Sequence, residues 1–504
     1  MNRQFRYNYF LGLLIVCLAL LPQTSYSASD PEMELFNGGN LDFMFSMRST
    51  LLAGPGVNGA LYGMTAPNEA DPFNIFGNPA VLGRLDGNQI AFTFSPEIEF
   101  DIESLTDLDQ SLEDTEDTTL ESFEVRNSPT YTDGSGRMRR DGTGLGGIAA
   151  TFTVGDNDTK WFGKYPRLLD RVAIGYHQPF FMNITADWSG LRMRIRTQSE
   201  TEESEVTMYA SIKMAMDLMI SADSWTIAGA RQIGDFWVGV GLSRTDVAIN
   251  FSGHQKTEGI LSLSQSESAF NSAGDPWDNE YFNSGIVDVD GTSTGLRLGT
   301  TYQPGRKFLV GVDYQMQTQA ELGGPIEFEV HTFKPLNLTA GDDEEQFDVA
   351  LIQPDRLTET TTKVFEPTPI SVDLPSSLSI GFAYFGFMSP NITFKKYFGK
   401  LQYSIKMFED GAEFNYSRGY NPDWNALLGF KISGLKVGIG AIRLVDVNEG
   451  YKDKNGEEIA TLKPLVIPRG SIGFNNSITK NITLSTLMYE LPEDSYRISL
   501  KFEF

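Results

Sequence analysis

The last ten residues, SYRISLKFEF, alternate without a break. Tyr496, Ile498, Leu500, Phe502 and Phe504 share one face of a strand, and Arg497, Ser499, Lys501 and Glu503 share the other. Side chains on a strand alternate with period two, so this is a strand with one apolar and one charged face. The pattern recurs upstream, with turn residues between the copies. LGGIAATFTV begins at Leu145, and FWVGVGLSRTDVAINF puts Phe236, Val238, Val240 and Leu242 together. EVTMYASIKMAMDL puts Met208, Ile212, Met214, Met216 and Leu218 on one face. ALLGFKI and LKVGIGAIRLV flank Ser433-Gly434. Long helical periodicity is absent, and the expected fold class is all-β.

The N-terminus reads MNRQFRYNYFLGLLIVCLALLPQTSYSASD. Arg3 and Arg6 precede an apolar core from Leu11 to Leu21, and Ser25 and Ser27 follow at cleavage spacing. This pattern predicts a secretory signal peptide over residues 1–27. Its apolar core is short for a membrane span, and nothing after it approaches the run of about 18 apolar residues that a crossing helix needs. Cys17 is the only cysteine, and Val16 before it is too large for a lipoprotein site. An exported chain without disulfides draws its stability from size and hydrogen bonding. In an exported chain, a strand ending on a terminal aromatic resembles the closing strand of bacterial outer-membrane barrels. The expected location is therefore the outer membrane of a Gram-negative-type bacterium.

Composition agrees. The chain has 49 glycines and 12% aromatic residues. A slightly negative mean hydropathy of −0.22 does not oppose a barrel, because barrel strands are only half apolar. The formal charge is −26, and removing Arg3 and Arg6 makes it −28. Such a surface repels phosphate backbones, so no nucleic-acid partner is expected. Acid-rich outer loops suit divalent-bridged lipopolysaccharide. Long connections are expected at 103–144, 253–293, 320–370 and 446–463. Counting strands back from the C-terminus puts all four on one rim, the habit of outer-membrane barrels. Residues 171–232 divide into two long strands or four short ones, giving 14 or 16 in all.

Residues 28–86 do not alternate and are rich in Gly, Pro and Asn. Leu35, Phe36, Phe43, Met44, Phe45, Leu61, Phe73, Ile75 and Phe76 nevertheless require burial. The natural place is inside the barrel, as a plug. The stretch FGNPAVLGRLDGNQIAF, residues 76–92, then leads into the first strand. A small-residue segment followed by this junction resembles the plug-to-strand junction of the FadL-type long-chain fatty-acid and hydrocarbon transporters. LPSSLSIGFAY and LGTTYQPGRKFLVGVDYQ are similar to later strands of that family. The resemblance implies a transmembrane antiparallel β-barrel of about 14 strands, residues 88–504, around an N-terminal hatch, residues 28–87.

Candidate site residues follow. Pro79 fixes its own φ and biases Asn78 away from helix, Asn78 bonds nearby backbone, and Arg84 is expected to pair with lumen carboxylates. Pro179 falls mid-strand in RVAIGYHQPFFMNITADW, and a closed barrel has no edge to accommodate it. It predicts a local kink or gap in the wall, the alternative being a bulge with no passage. The family resemblance implies that such a kink opens sideways, with Phe180 and Phe181 lining the exit. Arg192, Arg194 and Arg196 share a face, either to bind an acidic head group or to balance lumen charge. The acidic runs near 97–124, 341–348 and 453–458 are expected to be solvated loop surface, with divalent binding the lesser alternative. No metal, cofactor or catalytic residue is expected: His177, His254 and His331 accompany no nucleophile motif. The expected function is passive uptake of long-chain fatty acids or other hydrophobic compounds, by a monomer with lateral release. The alternative is a non-transporting barrel serving a secretion system as shuttle or anchor.

Overall fold

The computed structural model describes residues 32–37, 39–49, 54–94, 98–101, 124–125, 133–140, 145–154, 168–198, 205–263, 280–333, 358–365, 370–373, 375–386, 388–399, 402–406, 413–414, 420–432, 434–446, 463–491 and 497–504. Fourteen antiparallel strands close into one barrel. In chain order they are β1 (Gln89–Phe94), β2 (Leu145–Thr153), β3 (Arg171–Gln198), β4 (Glu205–Ile233) and β5 (Phe236–Leu263). Then come β6 (Glu280–Tyr302), β7 (Phe308–Gln317), β8 (Ser376–Tyr384), β9 (Asn391–Phe398) and β10 (Tyr420–Ile432). β11 (Leu435–Asp446), β12 (Leu465–Thr479), β13 (Ile482–Leu491) and β14 (Arg497–Glu503) complete the ring. β14 pairs with β1, Ile498 opposite Phe94 and Glu503 opposite Gln89. Closure removes the sheet edges, so the strands satisfy one another's backbone groups. Residues 171–232 thus form two long strands, as the 14-strand count requires.

One rim carries tight turns, two of which need glycine: Gly234 has φ 62° and Gly305 φ 73°. The other rim carries the long connections, but one is shorter than expected and two carry strands of their own. β5 continues to Leu263 and β6 begins at Glu280, so much of 253–293 is strand. Within 320–373 lie strands Ala320–Gly323, Ile326–Phe333, Thr358–Phe365 and Ile370–Asp373, and Asp133–Arg140 lies within 103–144. These pieces hide because their sequences are rich in Glu, Thr and Gly, without a clean apolar alternation.

The apolar face changes sides along the long strands. Near the turn rim, the outward residues of β4 and β5 are apolar apart from Arg231: Ile233, Ile227 and Trp225 on β4, and Phe236, Val238, Val240 and Leu242 on β5 are all exposed. Ile233 to Trp225 is about 27 Å of strand, or about 20 Å of height at a tilt near 40°. Equivalent residues recur around the ring: Ile174, Leu298, Phe308, Phe382, Ile392, Ile439, Phe474 and Ile498. This is the face that meets hydrocarbon. Above Leu242 the outward positions of β5 become Arg244, Asp246, Asn250 and His254, while Val247, Ile249 and Phe251 point inward. β6 matches, with Asp288, Asp290, Thr292 and Thr294 outward and Val287 and Val289 inward. The upper barrel is therefore polar outside and apolar inside.

β3 makes this change by a bulge. His177 pairs with Ser224 and Phe180 with Ala222, so Gln178 and Pro179 together oppose Asp223. One extra residue flips the phase of the strand beyond it, up to a second register shift between Trp188 and Leu191. Below the bulge, even-numbered Val172, Ile174 and Tyr176 face outward. Above it, even-numbered Phe180, Met182 and Ile184 fall on the inward face with Ala222, Ile220 and Leu218.

Residues 54–88 occupy the lumen. They form α1 (Val57–Tyr62) and 3-10 turns at Pro72–Phe76 and Pro79–Arg84. The wall makes room with small inward residues. Ala91, Ala149, Ala173, Ala228 and Ala230 pack against Phe73, Ile75, Phe76, Leu82 and Leu85. On β5 and β6 the chain comes closer still: a Cβ on Gly239 would lie 2.3 Å from the Ala80 nitrogen, and one on Gly299 2.0 Å from Asn78 Oδ1. The expectation of a lumen location for all of 28–87 is only partly met. Glu32–Asn37 and Asn40–Ser49 are strands paired to the upper half of β3. Their apolar content satisfies a sheet as readily as a plug, and composition does not tell the two apart.

Candidate functional site

Above the lumen segment lies a cavity of about 580 Å³. Its upper lining is apolar: Phe180, Ile220, Val247, Ile249, Phe251 and Val287. Its floor is charged. Arg297 of β6, Asp313 of β7, Lys395 of β9 and Arg469 of β12 all reach it, with His177, Gln315 and Asn425. Three basic side chains thus face one acidic one.

Local strand geometry sets each group. Arg297 donates through Nη1 to the Phe76 carbonyl and to Gln315 Oε1, the latter at 3.2 Å. Arg469 Nη1 donates to Asn425 Oδ1 at 3.0 Å. Lys395 Nζ lies 5.0 Å from the Tyr397 ring centre, and His177 packs on Phe76 at 4.1 Å between ring centres. Arg297 Nε, His177 Nδ1 and Asp313 Oδ1 are buried and make no hydrogen bond within the protein. Buried polar atoms ordinarily have partners, so this floor is built to meet water or a polar ligand group.

Asn78 is fully buried and ties the lumen segment to the wall. Its Oδ1 accepts from Ala80 N at 3.0 Å, capping the Pro79–Arg84 turn. Its Nδ2 donates to the carbonyls of Thr65 at 2.8 Å and Thr300 of β6 at 3.2 Å. Arg84 departs from expectation. It donates to the Pro67 carbonyl at 3.1 Å and lies over the Phe385 ring, with no carboxylate among its described partners. Burial lowers its pKa to about 10, which still leaves it cationic near neutral pH.

A second anchor was not anticipated. Glu69 accepts from Lys431, from Lys436 Nζ at 2.5 Å and from Asn475 Nδ2 at 2.7 Å. Lys436 also donates to Asn58 Oδ1 at 2.9 Å, and Asn58 Nδ2 to Asp71 Oδ2 at 2.7 Å. Burial pushes the Glu69 carboxyl up, but Lys436 and Lys431 pull harder and hold it at about 2. Burial pushes Asp71 above the usual carboxylate range, against the pull of its Asn58 hydrogen bond.

Pro179 and Phe180 line the cavity; Phe181, on the opposite strand face, is not among its lining residues. Arg192, Arg194 and Arg196 lie higher on β3, paired by backbone register with Asn37, Glu34 and Glu32, and their side chains lie outside the described residues. So do the signal-peptide region and most of the acidic loops. Arg297, Lys395 and Arg469 were missed from sequence. Their only mark is a charge at an inward phase, as Arg297 between outward Leu296 and Leu298.

No protein-family model matches the chain, and no curated protein is similar to it in sequence. Solved structures are similar in the course of the chain. The Pseudomonas putida toluene transporter TodX is 12% identical, with 90% of this chain and 99% of that one covered and a TM-score of 0.44. The Ralstonia pickettii toluene transporter TbuX is 12% identical, with 90% and 99% covered and a TM-score of 0.38. A Pseudomonas aeruginosa FadL homologue is 10% identical, with 94% and 100% covered and a TM-score of 0.39. Strand pairing and the apolar belt fix the architecture independently of these likenesses. The chain is a fourteen-stranded β-barrel of the outer-membrane kind, with residues 54–88 packed against its inner wall, and its barrel resembles those of the FadL-type transporters.

Proposed function

We propose that the protein is a passive channel for hydrophobic molecules that carry one acidic head, of which long-chain fatty acids are the model case. One observation carries this reading: an apolar chamber stands on a floor with three basic side chains, one acidic one and unbonded buried donors. An alkyl chain gains about 0.8 kcal/mol per methylene buried, which suits Ile220, Val247 and Phe251. A carboxylate receives charge-assisted hydrogen bonds from guanidinium groups, which suits Arg297 and Arg469. Toluene, the cargo for which TodX and TbuX are named transporters, would leave that floor unused.

The proposed route begins in the upper barrel, whose apolar inner face takes substrate from water. The arginines at 192, 194 and 196 are the proposed first contact for acidic heads. The substrate then reaches the floor, residues 54–88 act as a hatch, and release is lateral at Pro179 beside Phe180. The proposed setting includes outer-membrane lipid and lipopolysaccharide, and the proposed state is a monomer. No chemistry is asked of the protein. A sealed, non-transporting barrel is the second reading, favoured by the strand pairing that fills the wall above Pro179.

Uptake into proteoliposomes decides. Arg297→Leu with Arg469→Leu is expected to weaken oleate binding about tenfold or more while sparing an uncharged alkane, since each charge-assisted bond contributes roughly 1.5–3 kcal/mol. Equal loss for both probes would sink the head-group assignment. Absence of any uptake by the wild type would leave the sealed-barrel reading.

A further inference from the structure

We propose that Asn40–Ser49 is a removable stave of the wall, filling the split above Pro179 and drawn out when the lumen segment moves. This rests on the lateral-release reading and adds what opens the window. β3 changes partner at Pro179. Below it, Gly147 of β2 pairs with His177, the last residue of that pairing. Above it, Ser49 pairs with Phe180, and the stave follows β3 to Asn40 opposite Ser189. Pro179, which has no N–H to give, sits at the change.

The stave's other edge runs parallel to Asp133–Arg140, from Asn40 opposite Asp133 to Ser46 opposite Arg139. The two N-terminal strands make the only parallel pairings among the described residues. A barrel of consecutive strands has antiparallel neighbours, so a parallel neighbour is an insertion. Parallel pairing is also slightly weaker per residue, which makes this the edge that parts first.

Stave and lumen segment are one chain. Gly54, Pro179 and Phe180 all line the cavity. Ser49 and Gly54 are five residue steps apart, a reach of at most about 18 Å. Arg497 Nη1 holds the Gly54 carbonyl at 2.7 Å, pinning the start of the lumen segment to β14. Movement of that segment beyond the slack of the link pulls the stave. The window so opened has Pro179 and Phe180 on its rim. It sits at the upper edge of the apolar belt, where the Tyr176 and Trp225 rings meet at 5.0 Å and Tyr176 Oη donates to Asp223 at 2.6 Å.

Met44 and Thr185 are opposite in register, as are Ala248 and Ser221 on β5 and β4. In a Cys17→Ser background, Met44→Cys with Thr185→Cys locks the stave when oxidised, and Ala248→Cys with Ser221→Cys is the control lock. Equilibrium binding and vesicle uptake of labelled oleate are measured before and after reduction. The oxidised stave lock is expected to bind oleate as its reduced form does but to transport it about tenfold or more slowly, with the control unaffected. Equal uptake in both states, with the disulfide verified by mass spectrometry, overturns the stave while transport stands. A wild type that transports no oleate overturns the transport reading, and the stave as a gate with it. Should the cysteine pair fail to assemble, about six Gly/Ser residues inserted between Thr50 and Leu51 add about 20 Å of slack. That variant is expected to bind oleate normally and lose uptake, and unchanged uptake overturns the coupling.

Discussion

Asn78 shows how much one amide does here. It caps a turn, bridges Thr65 and reaches the wall at Thr300 while fully buried. Asn78→Ala is expected to cost about 2 kcal/mol, through a lost cap and stranded carbonyls. Thermal unfolding in detergent, and faster proteolysis within residues 54–88, check this. Glu69 gives a pH-dependent counterpart. Its carboxyl sits at about 2 in the fold against an ordinary 4.5. A depressed acid contributes its full stabilisation above the ordinary value and loses it as pH falls through the folded one. Protease access to the lumen segment is therefore expected to rise on acidification from about 4.5 towards 2. Glu69→Gln is expected to show that loosening already near neutral pH, by about 3 kcal/mol, with a flatter pH profile. An unchanged profile would remove Glu69 from the latch.

At the scale of the element, β3 does the most with the least. From Val172 to Trp188 its large apolar residues, Phe181 apart, keep to even positions, yet they face lipid below Gln178-Pro179 and lumen above. The bulge performs that transfer. Deleting Gln178 leaves Pro179 alone opposite Asp223, and Phe180, Met182 and Ile184 keep their inward pairing with Ala222, Ile220 and Leu218. That deletion is expected to assemble, read as the folded band in unheated electrophoresis, whereas deleting Phe181 turns Asp187 towards the apolar chamber and is expected to abolish the band. Pro179→Val keeps the residue count and is expected to assemble. If the Phe181 deletion assembled normally, the phase argument would be wrong. β4, β5 and β6 reach the same inversion without a bulge, by changing which sequence phase is apolar. That change was legible in DVAINF, residues 246–251, once the strand was known to continue.

At the scale of the molecule, the barrel has two storeys, a lipid-facing belt and an apolar-lined chamber above it. A fluorophore at Leu242→Cys is expected to be quenched by brominated lipid, and one at Asn250→Cys by aqueous iodide. The reverse pattern would move the membrane off the belt. The sequence alone determined most strands of the ring, the closing aromatic strand, the apolar content of residues 28–86 and a break in regular pairing at Pro179. These are local matters of period, proline geometry and composition. Only the tertiary structure decided that Arg297, Lys395 and Arg469 share one floor, because each belongs to a different strand and meets the others across the lumen. It alone placed Glu69 between Lys431 and Lys436, and put residues 40–49 in the wall beside β3. An alternating or apolar segment carries no record of its partner, since backbone hydrogen bonds are the same for every residue and register is fixed only when the neighbours arrive.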